Sequence, residues 1–207
     1  MRHWAAMKPK DVATRLLGLA GWKIEGEVPA VDRCVALGVP HTSNWDGVLL
    51  LAMAASAGLP ISFMIKDDWL RGPMGPIMRK LGAIGIDRSR SNNVVDAMID
   101  ELGRRDRLWL VVPPEGTRAR AERWRSGFYH IALGAGVPVV PGYLDYARKR
   151  MGLGEPITLT GDVGADMDRI RAFYAAKAPV GHAPELFGPI RLREEAPEDP
   201  ERSEGPK

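Results

Sequence analysis

Cysteine is almost absent from this sequence, since Cys34 is the only one among 207 residues. A single cysteine excludes an internal disulfide framework and fits a reducing cytoplasm. Cys34 lies inside the apolar run 34–39, which predicts a small core residue rather than a nucleophile. The four histidines are scattered, and none is spaced with the cysteine as in a zinc site. We therefore expect no metal centre.

Long apolar runs are also missing. The longest covers residues 48–59, which is shorter than the roughly 20 residues that a transmembrane helix needs. The sequence begins Met-Arg-His-Trp and shows no apolar core of a signal peptide. We expect a cytoplasmic protein that is peripheral on the membrane.

Three common catalytic and nucleotide-binding motifs do not occur. There is no Gly-x4-Gly-Lys-Ser/Thr phosphate loop, no Gly-x-Gly-x-x-Gly and no Gly-x-Ser-x-Gly. ATP, dinucleotide cofactors and a serine nucleophile of the hydrolase type are therefore not expected.

Positive charge is concentrated in the body of the chain. The net charge is +3, and residues 192–207 carry six acids and three bases, which leaves +6 for residues 1–191. A basic body suits an anionic partner such as a membrane surface, a phosphoester or nucleic acid. Residues 192–207 are rich in Glu and Pro and are predicted to be a disordered acidic tail.

Residues 1–23 interleave basic and apolar side chains. Pro9 can open a helix that runs to about residue 20. A basic amphipathic helix flanked by Trp4 and Trp22 can lie in a membrane interface, and it can equally pack its apolar side on the domain. Both readings stay open, and residues 1–23 are predicted to be a segment distinct from the domain at 24–191.

Apolar runs alternate with helical patterns between residues 31 and 178. The alternation predicts an α/β fold with a largely parallel central sheet flanked by helices. Pro138 and Pro141 indicate a sheet edge or an unusual backbone. The predicted strands cover residues 31–39, 61–65, 83–87, 108–112 and 137–145, with a possible sixth at 155–159. The predicted helices cover residues 44–57, 91–103, 127–134 and 166–178, with a broken helical stretch at 67–81.

One histidine stands at a useful distance from a carboxylate. His41 and Asp46 flank a predicted strand–turn–helix junction. Residues five apart in a regular helix point roughly 140° apart, so the two side chains meet only if His41 lies in the turn and folds back. A carboxylate that orients an imidazole makes a general base able to deprotonate a hydroxyl. The plainer interpretation is a polar loop histidine and a helix-dipole aspartate.

Further polar clusters follow other predicted strands. Arg88 follows the third strand, and Glu115, Gly116 and Arg118 follow the fourth. In parallel sheets the ligand crevice lies beyond the carboxyl ends of the strands, so these residues should converge with His41. Arginine matches phosphate oxygens in a bidentate way.

Four blocks taken in order resemble the glycerolipid acyltransferase family, in its 1-acylglycerol-3-phosphate (lysophosphatidate) acyltransferase branch. They are a His-x4-Asp block at 41–46, a block ending in arginine at 82–88, a Glu-Gly-Thr-Arg block at 115–118 and a proline-containing block at 137–141. Asp87 and Pro113 depart from the commoner family pattern. The departures do not touch the catalytic pair, but they leave the acceptor lipid open.

The resemblance implies a mechanism and a set of partners. His41, oriented by Asp46, would deprotonate the free hydroxyl of a lysophospholipid, which would then attack an acyl thioester. Arg88, Glu115 and Arg118 would hold the acceptor's phosphate and glycerol, with Gly116 and Thr117 in the same binding block. Acyl-CoA or acyl-carrier protein would be a co-substrate rather than a cofactor. An anionic membrane surface is an expected partner, and nucleic acid is not, because the arginines lack an aromatic stacking platform.

Three other functions fit the same residues. An acyl-thioesterase could use the His/Asp pair to activate water, and a lysophospholipid acyltransferase of remodelling type would differ only in its acceptor. A non-catalytic peripheral module could bind anionic lipids through its arginines. Retention of His41 and Asp46 at the required spacing argues against the non-catalytic module.

Overall fold

The computed structural model describes residues 9–86 and 91–195 of the chain. Three predictions therefore fall partly or wholly outside the described residues. They are the first eight residues of the N-terminal segment, the phosphate-binding role of Arg88, and residues 196–207 of the acidic tail.

In the described part of the chain, seven strands form one sheet in the order β1-β7-β6-β2-β5-β3-β4. Every neighbouring pair is parallel except β6 and β7, which are antiparallel. The strands are β1 (Lys23–Glu25), β2 (Arg33–Val39), β3 (Ile61–Lys66), β4 (Ala83–Ile86), β5 (Leu108–Val112), β6 (Val139–Asp145) and β7 (Arg150–Leu153). The predicted α/β fold with a largely parallel sheet is thus confirmed.

Helices cover both faces of the sheet. They are α1 (Pro9–Leu19), α2 (Trp45–Ala57), α3 (Asp67–Arg71), α4 (Gly75–Lys80), α5 (Ser91–Arg104), α6 (Gly127–Ala135) and α7 (Val163–Lys177). The broken helical stretch predicted at 67–81 corresponds to α3 and α4.

The central strands are buried on both faces, which explains their continuous apolar sequence. Leu37 and Leu110 point to one side, where they pack with residues of α5, α6 and α7. Cys34 and Trp109 point to the other side and pack with Leu50 of α2. Cys34 is completely buried, which confirms it as a core residue.

The predictions failed at the short strands. The possible sixth strand at 155–159 is wrong, because Ile157 forms an isolated bridge with Val139 and no ladder. Strands β1 and β7 were missed, since three and four residues give too short a pattern to recognise. The edge suggested by Pro138 and Pro141 is also wrong, because β6 pairs with β2 on one side and β7 on the other.

Pro141 is tolerated inside the sheet for a local reason. Its partner in the parallel ladder is Leu37 of β2. The antiparallel ladder with β7 begins one residue later, at Gly142. Proline has no N–H to donate, and the Pro141 carbonyl accepts a 2.7 Å hydrogen bond from the Gly154 N–H. The proline therefore stands where the partner on the β7 side changes.

Helix α1 packs against the domain and also exposes apolar side chains. Leu17 is buried beside Met53 of α2, while Leu16 and Leu19 are 60% and 86% exposed. The packing interpretation is therefore confirmed for Leu17, and the membrane interpretation remains a prediction. No helix within residues 9–86 or 91–195 is long and apolar enough to cross a membrane.

Candidate active site

Three loops converge at one edge of the sheet. Strand β2 lies between β5 and β6 and is parallel to both, so their carboxyl ends meet. The residues after β2 carry His41, those after β5 carry Glu115 to Arg118, and Tyr146 follows β6 directly. This is where ligands bind in open α/β sheets, and the predicted convergence of His41 with Glu115 and Arg118 is observed.

The loop after β2 folds back over the first turn of α2. His41 Nδ1 lies 3.4 Å from Asp46 Oδ2. The same oxygen accepts hydrogen bonds of 2.7 and 2.8 Å from the backbone N–H groups of Thr42 and Ser43. Asn44 is the N-cap residue of α2 but makes no capping hydrogen bond with its side chain. The Asp46 carboxylate therefore holds this turn and lies beside the imidazole.

Tyr146 completes the surroundings of Asp46. Its hydroxyl donates a 2.6 Å hydrogen bond to Oδ1, the oxygen that His41 does not contact. The ring is held edge-on between Trp22 and His182, with centroid separations of 5.1 Å on each side. Sequence reasoning missed Tyr146, although the rule that selected His41, a polar residue just past a buried strand, could have found it.

Asp46 is held in its charged form. It is only 4% exposed, and burial by itself would raise the pKa of its carboxyl. Hydrogen bonds from His41, Tyr146 and the two backbone N–H groups outweigh burial and hold the pKa of Asp46 below its usual range. Asp46 is therefore an anion at neutral pH, as an imidazolium-stabilising partner must be.

Glu115 is buried directly behind the histidine. Its Oε1 accepts a 3.1 Å hydrogen bond from the backbone N–H of His41. Its Oε2 is buried and has no hydrogen-bond partner among the described residues. Burial raises the pKa of Glu115 to about 7, and the charge of Asp46 adds to the rise. The carboxyl thus fixes the backbone at His41 and leaves one oxygen open.

The rest of the Glu-Gly-Thr-Arg block shapes the loop after β5. Gly116 has a φ of +66°, a backbone conformation that favours glycine. A Cβ at this position would also lie only 2.7 Å from Arg125 Cγ. Thr117 Oγ1 accepts a 3.2 Å hydrogen bond from the Ala119 N–H. The Arg118 guanidinium donates to Asn44 Oδ1 and so joins this loop to the loop after β2. Arg118 is exposed and accessible to a ligand.

A cavity of about 1450 Å³ opens over these loops. His41, Asn44, Asp46 and Arg118 line its polar part. The apolar part is lined by side chains of α2, β3, α4 and α5 and by Leu81 directly after α4, among them Val48, Leu51, Phe63, Met64, Met78, Val94 and Val95. Within the described ranges, no cluster of three or more His, Cys, Asp or Glu side chains is placed to hold a metal ion. The cavity therefore joins the His41/Asp46 pair to an apolar space of a size that suits an alkyl chain.

The chain is similar to proteins that handle acyl groups. A family model described as Acyltransferase matches residues 25–145. The 1-acyl-sn-glycerol-3-phosphate acyltransferase of Haemophilus influenzae is 30% identical over 138 residues, which are 61% of this chain and 55% of that protein. The enzyme of the same name from Salmonella typhimurium is 30% identical over 151 residues, 64% of this chain and 59% of that protein. The chain thus spans less than two thirds of these relatives.

A solved structure shares the fold. It is the crystal structure of the 1-acyl-sn-glycerophosphate (LPA) acyltransferase PlsC from Thermotoga maritima. The TM-score is 0.56 at 16% identity, with 84% of this chain and 80% of that chain covered. At this sequence identity, the comparison shows that the two chains share the arrangement of the sheet and its helices.

Proposed function

This chain belongs to the acyltransferase family, and we propose that it moves a fatty acyl group from an acyl thioester to the free hydroxyl of a lysophospholipid. The acceptor that we propose is 1-acyl-glycerol-3-phosphate, in phospholipid synthesis. The relatives from Haemophilus influenzae and Salmonella typhimurium carry that activity in their names. The observation that carries the proposal is the contact between His41 and an Asp46 carboxylate fixed by three further hydrogen-bond donors.

His41 acts as the general base in this proposal. Because Asp46 faces Nδ1, Nε2 is the ring nitrogen left to take the proton of the acceptor hydroxyl. The oxygen then attacks the thioester carbonyl, so that a C–O bond forms and, when the tetrahedral intermediate collapses, the C–S bond breaks. The imidazolium returns its proton to the departing thiolate. No acyl-enzyme is formed, and the anionic Asp46 stabilises the imidazolium in between.

The acyl chain of the donor occupies the apolar part of the cavity. Side chains of α2 and α4 line that part, including Val48, Leu51 and Met78. Binding of the alkyl chain in this apolar space removes it from water. The thioester carbonyl then lies beside His41 and the acceptor hydroxyl. Acyl-CoA or acyl-carrier protein supplies the thioester.

The acceptor lies on the polar side of the cavity. Arg118 lines it and is exposed, and its planar fork suits a phosphate. Arg88, which follows β4 in the sequence, is proposed to assist. An anionic membrane delivers this acceptor to a peripheral protein on the cytoplasmic surface. Trp45 and Trp69, 61% and 66% exposed, are side chains of the kind that settle in a membrane interface.

Product analysis tests the proposal. The full chain is incubated with an acyl thioester, with and without 1-acyl-glycerol-3-phosphate, and the lipids are identified by mass spectrometry. We expect a diacyl product that requires the acceptor, and its loss in His41→Ala with the circular dichroism spectrum unchanged, since His41 lies in a loop. Thioester consumption that ignores the acceptor would indicate a thioesterase. No consumption of the thioester would favour a non-catalytic lipid-binding module.

A further inference from the structure

The exposed large apolar side chains are unevenly distributed over the helices. Within residues 9–86 and 91–195, twelve such side chains are exposed. Three of them lie on α1, two on α2 and four in residues 67–82, the segment that joins β3 to β4. Of the twelve, only Leu133 lies on α5, α6 or α7. Single apolar side chains are ordinary on a protein surface, whereas a concentration of them indicates a contact with a partner.

The segments that expose these side chains share one face of the sheet. The crossover from β2 through α2 to β3 and the crossover from β3 through α3 and α4 to β4 advance in the same direction across the sheet. Right-handed crossovers then place α2, α3 and α4 on the same face. A Cβ on Gly85 of β4 would lie 2.8 Å from Leu70 Cδ1 of α3, while the neighbouring Ile84 packs on the other face, in the core that includes α5 and α6. Helix α1 packs beside α2 on the face of α3 and α4.

The active-site cavity opens on this same face, between α2 and α4. Val48 of α2 and Leu81 directly after α4 both line the cavity, and they are 53% and 38% exposed. They therefore stand at the rim, where the cavity meets the surroundings. Trp45 precedes Val48 by three residues of helix and Ile77 precedes Leu81 by four, so these two exposed side chains extend the rim outward. Exposed apolar side chains thus border the mouth of the cavity on both sides.

The charges on this face favour an anionic surface. Helix α1 and residues 66–80 together carry six Lys or Arg and three Asp, and α2 adds only the buried Asp46, whereas α5, α6 and α7 carry four Lys or Arg and five Asp or Glu. Both aspartates of the segment 66–80 pair with Arg71, and Lys66 and Lys80 are exposed at its two ends. Tryptophan and aliphatic side chains among lysine and arginine suit a surface that lies on anionic lipid. A second copy of the chain fits less well, because it would bring the same positive charges together.

We propose that this surface docks on an anionic lipid bilayer and that docking brings the mouth between α2 and α4 against the lipid. We call it the lipid face and define it by the exposed side chains of α2 and of the segment between β3 and β4, which are Trp45, Val48, Trp69, Met74, Ile77 and Leu81. The inference rests on the proposed function and names the route by which the acceptor arrives. An acceptor that leaves the bilayer at this mouth reaches His41 without its acyl chain crossing water, a transfer that would be costly.

Co-sedimentation with vesicles tests the lipid face on the full chain without relying on turnover. The vesicles consist of phosphatidylcholine with phosphatidylglycerol, or of phosphatidylcholine alone, and we expect wild type to bind the anionic vesicles more tightly. Trp69→Gln and Ile77→Gln should each weaken that binding by about tenfold, since one large apolar side chain would no longer leave water. Leu133→Gln is the matched control and should bind like wild type, because Leu133 is 44% exposed, close to the 50% of Ile77, but lies on α6.

Three outcomes would overturn the lipid face. One is equal vesicle binding by wild type, Trp69→Gln and Ile77→Gln. Another is an equal loss of binding in Leu133→Gln, because it would show no preference between the two faces of the sheet. The third is a dimer in analytical ultracentrifugation that Ile77→Gln dissociates, which would assign the surface to a second copy of the chain. All three substituted side chains are exposed, so the variants should fold, and circular dichroism checks it.

The transfer assay separates the lipid face from the reaction. The acceptor, 1-acyl-glycerol-3-phosphate, is supplied either in anionic vesicles or as a short-chain form dissolved in water. Trp69→Gln and Ile77→Gln should lower the rate with the vesicle-held acceptor and leave the rate with the dissolved acceptor unchanged, since both side chains lie outside the cavity lining formed by the described residues. Equal rates with the vesicle-held acceptor in wild type and both variants would refute the lipid face and leave the proposed function intact. Vesicle binding that depends on Trp69 in a protein without transfer activity would refute the proposed function and support the lipid face.

Discussion

The hydroxyl of Tyr146 donates a 2.6 Å hydrogen bond to Oδ1 of Asp46, whose other carboxylate oxygen faces His41. The contact joins residues 100 positions apart and connects the end of β6 to the loop after β2. It helps to keep the pKa of Asp46 low. A tyrosine therefore stands behind the His/Asp pair and fixes the orientation of its carboxylate.

Removing that hydroxyl should slow the reaction. Tyr146→Phe keeps the ring between Trp22 and His182 and deletes one hydrogen bond to a charged group, which is worth roughly 1.5–3 kcal/mol. We expect kcat to fall by at least about tenfold, with little change in either KM. Steady-state kinetics measure it. Tyr143→Phe is the matched control, because its hydroxyl donates an equally short bond to Glu25 rather than to Asp46. Equal kcat values in the two variants would show that Tyr146 does not support the pair.

Glu115 should make the protein less stable as the pH rises. Its pKa is about 7 in the folded chain and 4.5 ordinarily, so folding disfavours its ionisation. The folded state then binds more protons than the unfolded state, and stability falls between about pH 4.5 and pH 7. A pKa difference of about 2.5 corresponds to about 3 kcal/mol at most.

Glu115→Gln removes this titration and leaves His41 and Asp46, the neighbouring ionisable side chains, in place. We expect the unfolding free energy of the variant, relative to that of wild type, to be higher at pH 8 than at pH 5. Urea unfolding at both pH values measures the difference. The same difference at pH 5 and at pH 8 would contradict the raised pKa.

Arg118 should recognise the acceptor rather than the donor. Arg118→Ala removes a charge-assisted hydrogen bond, worth roughly 1.5–3 kcal/mol, so kcat/KM for the acceptor should fall about 10- to 150-fold. Arg118→Lys should recover only part, since lysine restores the charge but not the fork. The donor KM should barely move. A donor KM that rises alone would place the phosphate site on the other substrate.

Helix α1 should contribute to stability and to membrane contact through different leucines. Leu17→Ala empties a buried position against α2 and should cost roughly 2–5 kcal/mol of unfolding free energy. Replacing the exposed Leu16 and Leu19 by Gln should leave urea unfolding unchanged and reduce co-sedimentation with anionic vesicles. Unchanged co-sedimentation would exclude this face of α1 as a membrane contact.

Point substitutions test α1 better than deletion. Removing residues 1–22 would also remove Trp22, whose ring holds Tyr146 in place, so a truncated chain would confuse loss of the membrane contact with damage to the site.

The sequence could predict what is local. Continuous apolar runs predict the strands β2 and β5, because both faces of each strand are buried. His41 contacts Asp46 because a tight turn brings together two residues that are five positions apart. Glu115 and Arg118 were found through the rule about strand ends. Tyr146 also follows a strand end, but its hydrogen bond to Asp46 joins residues 100 positions apart, and no local pattern indicates that contact. Strand order and the burial of Glu115 likewise depend on tertiary packing that no local pattern encodes.

The burial of Cys34 in the middle of β2 makes this chain its own reporter of unfolding. Burial raises the pKa of the thiol far above its usual value, so a thiol reagent in solution meets an inert and enclosed sulfur. With one cysteine in the sequence, each molecule takes up one label, and only when the central strands separate. The rate at which Cys34 is labelled therefore measures how often the sheet opens. A substrate that binds the folded site should lower this rate, and no engineered probe is needed.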